Sequence, residues 1–462
     1  SKLGKYYEKS ITDCKMIKRK KLYGFDGGKE HKFVRLEFEN VAALNRGKGL
    51  WYGAYTKTES GRSERKLHPE GLVFEGTGTR LYEANIPPLL RFFHIQEISP
   101  SGWVSLPLKK SFEVSGSDKK TNCDFEYVID YRNIVPLNDK ETRVPYKICS
   151  FDIEASSSHG DFPVPVKSYK KLATNIIEYF EKMANDIAPD ACRDLLTRII
   201  QVAFGFDASM QTIDLVYPKK RPTKPEVDTM TTKWLNAQAR FINKTEQQNT
   251  MSIESLFAKM HQDEEHDDAE SFGFKKYTKA YTNKAATIVD ILSDKKFDRD
   301  GKLSELTYSL NANFPRLEGD KVTFIGSTFL RSGESDPYKN NCIILNTCSK
   351  LPVEHGEQES YSTEKEVLLA WQRLIQRENP DIIIGYNIFG FDYEFMFRRA
   401  EENNCTAQFL KLSRNIDEVC AEKDRDSQQY KIEESSIQIA SGQHDLHFIK
   451  MNGRLQIDLY NF

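Results

Sequence analysis

Two carboxylates stand two residues apart in the segment KICSFDIEA, residues 147–155. The segment alternates in polarity, which predicts a β-strand with Asp152 and Glu154 on one face. A rise of ~3.4 Å per residue then puts their Cα atoms roughly 7 Å apart, with both side chains pointing the same way. Two carboxylates so placed can bind one divalent cation. A solvated strand face is the alternative, because Asp and Glu are usually exposed.

A third carboxylate, Asp392, follows the apolar run DIIIGYN, residues 381–387. The run suits a buried strand, and Asp392 opens a predicted helix after a turn. A carboxylate at such a switch is well placed to face the cleft of the first acidic pair. An N-cap is the alternative role for Asp392. Two Mg²⁺ ions ~3.5 to 4 Å apart, held by three or four carboxylates, can hydrolyse a phosphodiester by activating water and stabilising the leaving oxygen.

The elements around these residues alternate between strands and helices. DKVTFIGSTFL and CIILNT are predicted strands, and Thr363 with Glu366 forms a capping box that opens the amphipathic helix STEKEVLLAWQRLIQREN. Pro380 closes that helix, and FDYEFMFRRAEEN is predicted to form the next one. The order strand, helix, strand, helix predicts an α/β domain built on a mixed sheet.

The rest of the chain has a different character on each side of the first acidic strand. Residues 1–145 contain short alternating runs between Gly, Pro and Asn clusters, which predicts a β-rich first domain. Residues 146–462 form the predicted second domain. Within it, residues 166–318 combine helical stretches with charged runs such as PKKRPTKPEVD and HQDEEHDDAE, which indicates a large insertion with a mobile middle. The chain is therefore predicted to be a multidomain α/β (α+β) protein.

The bulk composition excludes several classes of protein. With 66 Lys and Arg against 68 Asp and Glu, no global positive charge argues for nucleic-acid binding, so DNA contacts would need local patches. The eight cysteines show no C-x-x-C pair, and no zinc site or disulfide framework is indicated. No apolar run approaches the ~18 residues of a membrane span, so no membrane partner is predicted.

Four segments together resemble family B DNA polymerases, in particular the DNA polymerase delta type. SFDIEASSSHGDFPVP, NPDIIIGYNIFGFDYEFMFRRA and NGRLQIDL are similar to exonuclease segments of that family, and YEANIPPLLRFFHIQEISPSGWVSLP resembles the stretch leading into them. The insertion is similar to that carried by polymerases of large nucleocytoplasmic DNA viruses. Residues 166–318 are otherwise the part of the chain that the resemblance does not cover.

The resemblance implies a ribonuclease-H-like exonuclease domain that removes misinserted nucleotides from a DNA 3′ end, as the proofreading part of a DNA-directed DNA polymerase. By position, Asp152, Glu154 and Asp392 would be the catalytic residues and ligands of two Mg²⁺ ions, which Mn²⁺ could replace. Asn387 and Phe391 would contact the single-stranded primer end. The implied partners are template-primer DNA, the remainder of the polymerase chain and, as a further candidate, a sliding clamp. The implied location is intracellular, in the nucleus or at a viral replication site.

The chain departs from the family pattern at its C-terminal end. The family's third motif, a tyrosine shortly before a last metal-binding aspartate, is absent, and Asp458 does not fit because no tyrosine stands four residues before it. The polymerase domain is also absent, and the sequence looks like a piece of a longer chain. Two alternatives therefore stay open: a catalytically inactive fragment or subunit that binds DNA or a partner, and a free-standing nuclease of the ribonuclease-H-like class.

Overall fold

The protein is described here by a computed structural model. It describes residues 9–21, 26–54, 56–57, 63–69, 71–158, 160–183, 188–239, 286–294, 297–352, 356–424, 427–439 and 442–461. The chain divides into two compact units, Ser1–Val114 with Tyr127–Arg143, and Ser115–Glu126 with Val144–Phe462. The acidic run HQDEEHDDAE, predicted to be mobile, lies outside the described residues.

Among its described residues, the first unit contains short antiparallel strand pairs and two α-helices. The longest pair joins Ile11–Lys20 to Glu30–Phe38, with residues such as Met16 and Val34 directly opposite each other. The helices are Val41–Lys48, capped by the Asn40 side chain, and Pro88–Gln96. The remaining pairs are Thr56–Lys57 with Ser63–Glu64, Leu72–Phe74 with Thr77–Thr79, Val104–Ser105 with Val135–Pro136, and Ser111–Glu113 with Tyr127–Ile129.

The second unit contains a six-stranded mixed sheet. Its strands are β1 (Lys147–Ser156), β2 (Lys321–Arg331), β3 (Lys339–Leu345), β4 (Gly356–Tyr361), β5 (Ile382–Gly385) and β6 (Leu455–Asp458). They lie in the order β4-β3-β2-β1-β5-β6. β2 runs antiparallel to both β1 and β3, whereas β5 runs parallel to both β1 and β6. The carboxyl ends of β1, β5 and β6 therefore lie at the same edge of the sheet.

Helices cover one face of this sheet. The main ones are α1 (Glu364–Glu378) and α2 (Tyr393–Glu402), and a short helix spans Thr406–Phe409. Trp371 of α1 is fully buried and lies 4.9 Å, between ring centroids, from Phe151 of β1. The predicted capping box of Thr363 and Glu366 is present at the start of α1. The apolar side of the first acidic strand is thus fixed by aromatic packing against α1.

Five described helices lie between β1 and β2 and enclose a separate apolar core. Trp234 and Leu310 are fully buried in that core, and the Trp234 indole donates a 2.7 Å hydrogen bond to Ser309. The helices are Lys170–Glu181, Pro189–Ala203, Lys224–Asn236, Ile288–Ser293 and Arg299–Asn313. The helix Lys224–Asn236 begins within the charged run PKKRPTKPEVD, where Thr223 and Glu226 form its capping box.

The chain segments that lead into and out of these helices are hydrogen-bonded to each other. Val164 donates its backbone N–H to the Asp320 carboxylate at 2.9 Å, and Asp320 donates its own N–H to the Val164 carbonyl. Lys167 forms an ion pair with the same carboxylate at 2.5 Å. Nearby, Arg399 of α2 and Glu364 of α1 form a buried ion pair at 2.6 Å. These charges are paired, as buried charges must be to avoid a large desolvation cost.

The remaining described strands form two antiparallel pairs beyond α2. One pair joins Glu422–Lys423 to Tyr430–Lys431, and the other joins Glu433–Ile439 to Gly442–Phe448. Among the residues for which the structure gives a conformation, no helix is both long and apolar enough to cross a membrane.

Candidate active site

The acidic face of β1 forms one wall of the candidate site. Asp152 and Glu154 are exposed on the open face of the sheet, while Phe151 and Ile153 are buried on the other. This is the alternation that the sequence predicts. Next to Glu154 the pairing of β1 with β2 is irregular, because Glu154 pairs with Phe324 and Ala155 already pairs with Val322. Such bulges re-aim side chains and are common beside active sites.

The second wall is the turn that follows β5, residues 385–392. Gly385 ends the strand, and a Cβ at this position would lie 2.4 Å from Cγ2 of Ile388, which is itself fully buried. Asn387 has φ +59°, a left-handed conformation that Asn tolerates better than most residues. Residues Ile388–Asp392 form a π-helical turn, a geometry that is often found at functional sites.

Asp392 ends this turn and lies against β1. It is only 2% exposed and makes no capping hydrogen bond to α2, so its side chain does not act as the N-cap that the sequence left open. Instead, its Oδ1 accepts a hydrogen bond from the Ile153 backbone N–H at 3.3 Å. The structure therefore brings the third predicted carboxylate next to the strand that carries the first two.

The carboxyl groups of Asp152 and Asp392 lie close enough for the charge of one to affect the pKa of the other. Burial raises the pKa of Asp392 to about 8, and the negative charge of neighbouring Asp152 adds to that rise. The two carboxylates cannot both be ionised cheaply unless a positive charge lies between or beside them. Carboxylate oxygens are the ligands that hard divalent cations prefer, so the donors present fit a divalent cation.

The side chains of the three predicted ligands do not form a complete metal-binding site in this structure. Within the described parts of the chain, no group of three or more His, Cys, Asp or Glu side chains has the geometry to hold a metal ion. Asp152 and Asp392 are neighbours, whereas Glu154 lies one step further along the same strand face. The site as described is thus a carboxyl pair with a third carboxylate nearby.

The two residues predicted to contact DNA lie on the same turn as Asp392. Asn387 and Phe391 are both half-buried. The Phe391 ring meets Phe162, from the loop after β1, edge to face at 5.5 Å between centroids. Phe162 is 45% exposed and was not singled out from the sequence. A Cβ on Gly390 would lie 2.2 Å from Oδ1 of Asn387, so glycine is what makes room for that amide.

A groove of about 450 Å³ runs along the open face of the sheet beside Asp152. Its walls come from the sheet strands and from the residues that follow β5 and β6. They include Ser150, Gly326, Thr328, Asn340, Tyr386 and Leu459. Asp152 is therefore accessible from the side of the sheet that α1 and α2 leave uncovered, whereas Asp392 behind it is buried.

Asp458 is a buried carboxylate whose sequence context does not fit the last metal ligand of the family. It ends β6, is 2% exposed, and accepts backbone N–H groups from the turn after β5. Its partners lie about seventy residues earlier in the chain, a separation that carries no local sequence signal.

Comparison with known proteins identifies the family. The exonuclease domain of DNA polymerase family B matches residues 79–174 and 230–462, which is more than half of the chain. The DNA polymerase of Phaeocystis pouchetii virus is 41% identical over 99% of this chain, which covers 44% of that polymerase. The DNA polymerase of Pyramimonas orientalis virus is 29% identical over 98% of this chain, which covers 34% of that polymerase.

A cellular relative matches a shorter part of the sequence. The DNA polymerase delta catalytic subunit of Arabidopsis thaliana is 41% identical over 19% of this chain, which covers 8% of that subunit. The chain thus spans less than half the length of each of these relatives. With a match over most of its residues, the chain belongs to DNA polymerase family B, to the part that contains its exonuclease domain.

Proposed function

We propose that this chain carries the proofreading 3′-5′ exonuclease of a DNA-directed DNA polymerase. The observation that carries the proposal is the placement of Asp392 beside Asp152, where β5 ends alongside the middle of β1. Because the chain contains a family B exonuclease domain, we propose that these two carboxylates form the site where a 3′-terminal phosphodiester is hydrolysed. We also propose that the sheet with its helices is ribonuclease-H-like, and that the described helices between β1 and β2 are an insertion into it.

Asp152, Glu154 and Asp392 are proposed to hold two divalent cations, with Mg²⁺ as the physiological ion and Mn²⁺ as a substitute. When bound, such ions supply an activated water and stabilise the leaving oxygen. The protein's own contribution is to keep the Asp392 carboxylate buried at a fixed place against β1. The backbone N–H of Ile153 holds Asp392 there, and the packing of Ile388 holds the turn.

The primer end is proposed to lie along the turn that carries Asn387 and Phe391. The half-exposed ring of Phe162 contacts Phe391 and adds to the aromatic surface proposed for the primer end. Stacking of bases on aromatic side chains stabilises single-strand binding without sequence preference, by roughly 1–3 kcal/mol per base. A proofreading site needs this property because any base can be misinserted.

The partners and the location are proposed on the family alone. The remainder of a polymerase chain and template-primer DNA are the proposed partners, and a sliding clamp is a further candidate. The viral and delta-type relatives support an intracellular place of action, at a viral replication site or in the nucleus.

The proposal is tested with the longest polypeptide that the gene encodes and with 5′-labelled single-stranded DNA in Mg²⁺ or Mn²⁺. Wild type is expected to shorten the DNA from its 3′ end, and Asp152→Ala is expected to abolish the shortening. Asp336→Ala is the matched control, because Asp336 is exposed in the turn between β2 and β3 at the opposite end of the sheet. Equal cleavage by wild type and Asp152→Ala would remove the site assignment.

The alternative left open by the sequence is a chain without nuclease activity. In that case the chain binds single-stranded DNA or a partner protein without cutting. This alternative would be favoured if the chain binds single-stranded DNA but does not cut it in any divalent metal. Binding that weakens steeply with salt would show phosphate contacts, because such contacts release counterions.

A further inference from the structure

The carboxylate of Asp458 is bound to the turn that carries the proposed active site. Its Oδ1 accepts the backbone N–H of Asn387 at 2.8 Å, and its Oδ2 accepts that of Phe389 at 2.9 Å. Tyr460 donates a third N–H to Oδ1 at 3.0 Å. Hydrogen bonds to an ionised acceptor are about twice as strong as neutral ones.

The turn does not satisfy these two amides itself. Its internal hydrogen bonds run from Gly390 and Phe391 to the Asn387 carbonyl, and from Tyr393 to the Ile388 carbonyl. The N–H groups of Asn387 and Phe389 instead point towards β6. A buried N–H without an acceptor costs about 1–3 kcal/mol, so this conformation of the turn depends on an acceptor at the end of β6.

Strand pairing alone does not explain the carboxylate. β6 already pairs with β5 along its four residues, from Ile382 with Leu455 to Gly385 with Asp458. Both side-chain oxygens of Asp458 are used beyond that ladder, on amides two residues apart in the turn. The carboxylate therefore fixes the left-handed Asn387 and, through the π-helical turn, the place where Asp392 meets β1.

We infer that Asp458 is a positioning residue for the nuclease site, holding the turn of residues 387–392 so that Asp392 stays beside Asp152. This inference rests on the proposed exonuclease function. Asp458 touches neither the substrate nor the cations in this role. It acts through the backbone amides of Asn387 and Phe389.

The first test measures amide hydrogen exchange by mass spectrometry in the full polypeptide without metal. Asp458→Asn keeps the size of the side chain but has one acceptor oxygen, and its NH₂ group faces a backbone donor. Peptides covering residues 386–391 are expected to exchange roughly 10-fold faster or more, since one charge-assisted hydrogen bond is lost. Unchanged exchange in these peptides would overturn the inference.

The matched control is Asp381→Asn, at the opposite end of β5. Asp381 also accepts a backbone N–H, that of Lys147 at 2.9 Å, and pairs with Arg414. It is expected to leave exchange of residues 386–391 unchanged. Wild type supplies a further measurement that needs no variant: its 386–391 peptides must exchange more slowly than an unstructured peptide, and free exchange there would also overturn the inference.

The second test measures Mn²⁺ affinity by calorimetry and kcat on single-stranded DNA. Loss of residues that orient metal ligands typically costs ~10–100-fold in metal affinity or activity, and Asp458→Asn is expected to show a loss of that size while Asp381→Asn does not. Faster exchange with unchanged Mn²⁺ affinity and kcat would make Asp458 a structural residue only. A wild-type protein that neither binds Mn²⁺ nor cuts DNA would instead refute the proposed function, whatever the exchange shows.

Discussion

Binding of a divalent cation at the carboxyl pair should release a proton near neutral pH. Burial and the charge of Asp152 raise the pKa of Asp392 to about 8, from an ordinary value of 3.8. A group with that pKa is about 90% protonated at pH 7 and about 10% protonated at pH 9. A carboxyl must lose its proton to bind a metal.

The expected release is therefore about 0.9 proton per site at pH 7, falling to about 0.1 at pH 9. An aspartate of ordinary pKa would release almost none at either pH. The sign is fixed by the raised pKa: proton release is greatest below about pH 8 and is lost as the pH rises through that value.

The assay is calorimetric titration with Mn²⁺ at pH 7 in two buffers of different ionisation enthalpy. Asp392→Asn should lower the release by about 0.9 proton, and the exposed-turn variant Asp336→Asn should not change it. Metal sites elsewhere in a longer polypeptide cancel in the difference between wild type and Asp392→Asn. Equal release by these two proteins, with Mn²⁺ bound in both, would refute the reasoning about the carboxyl pair.

Two further predictions concern stability. Arg399→Met leaves the buried Glu364 carboxylate with only neutral donors, the Val322 N–H and the Asn403 amide, and should destabilise the second unit by about 3–5 kcal/mol in denaturant titration. Adding Glu364→Gln should recover part of the loss, because the neutral amide oxygen can still accept the Val322 N–H; no recovery would contradict the buried-pair explanation. Gly385→Ala puts a Cβ 2.4 Å from Ile388 and should cost about 1–3 kcal/mol in the same titration. Gly49→Ala, whose Cβ meets only a flexible side-chain end at 3.4 Å, should cost less, and an equal cost would argue against the close approach at Gly385.

The parts of the fold that could be predicted are those with a strong local pattern. The capping box of Thr363 and the helical spacing behind it predict α1, and the alternation around Asp152 predicts β1. β4, with the sequence GEQESY, has no alternation of apolar and polar residues and could not be predicted. It is stabilised as a strand by its pairing with β3 at the edge of the sheet. The hairpin of Glu433–Ile439 and Gly442–Phe448 is similarly polar and was missed.

The candidate site was predictable in part. The proximity of Asp392 to Asp152 could be predicted because a carboxylate just past a strand end can face the neighbouring parallel strand, whereas the roles of Asp152, Glu154 and Asp392 as ligands stay predictions. The support for that site could not be assigned, since Asp458 acts on amides of the turn and not through a side-chain motif. Phe162 was missed because a single exposed aromatic residue in a loop gives no pattern until its ring contact is known. The domain boundaries at residue 145 and the insertion limits 166–318 stay predictions.

The joined ends of the helical segment between β1 and β2 have a consequence for how this gene can change. Val164 and Asp320 are hydrogen-bonded to each other, so the chain leaves and re-enters the sheet at one point. Loop-closure entropy grows only slowly with length, and a segment whose ends already meet can lengthen or shorten with little effect on the pairing of β1 with β2. The family exonuclease domain leaves residues 175–229 unmatched, inside this segment. The length of this segment can thus change while the pairing of the acidic strand β1 with β2 is kept.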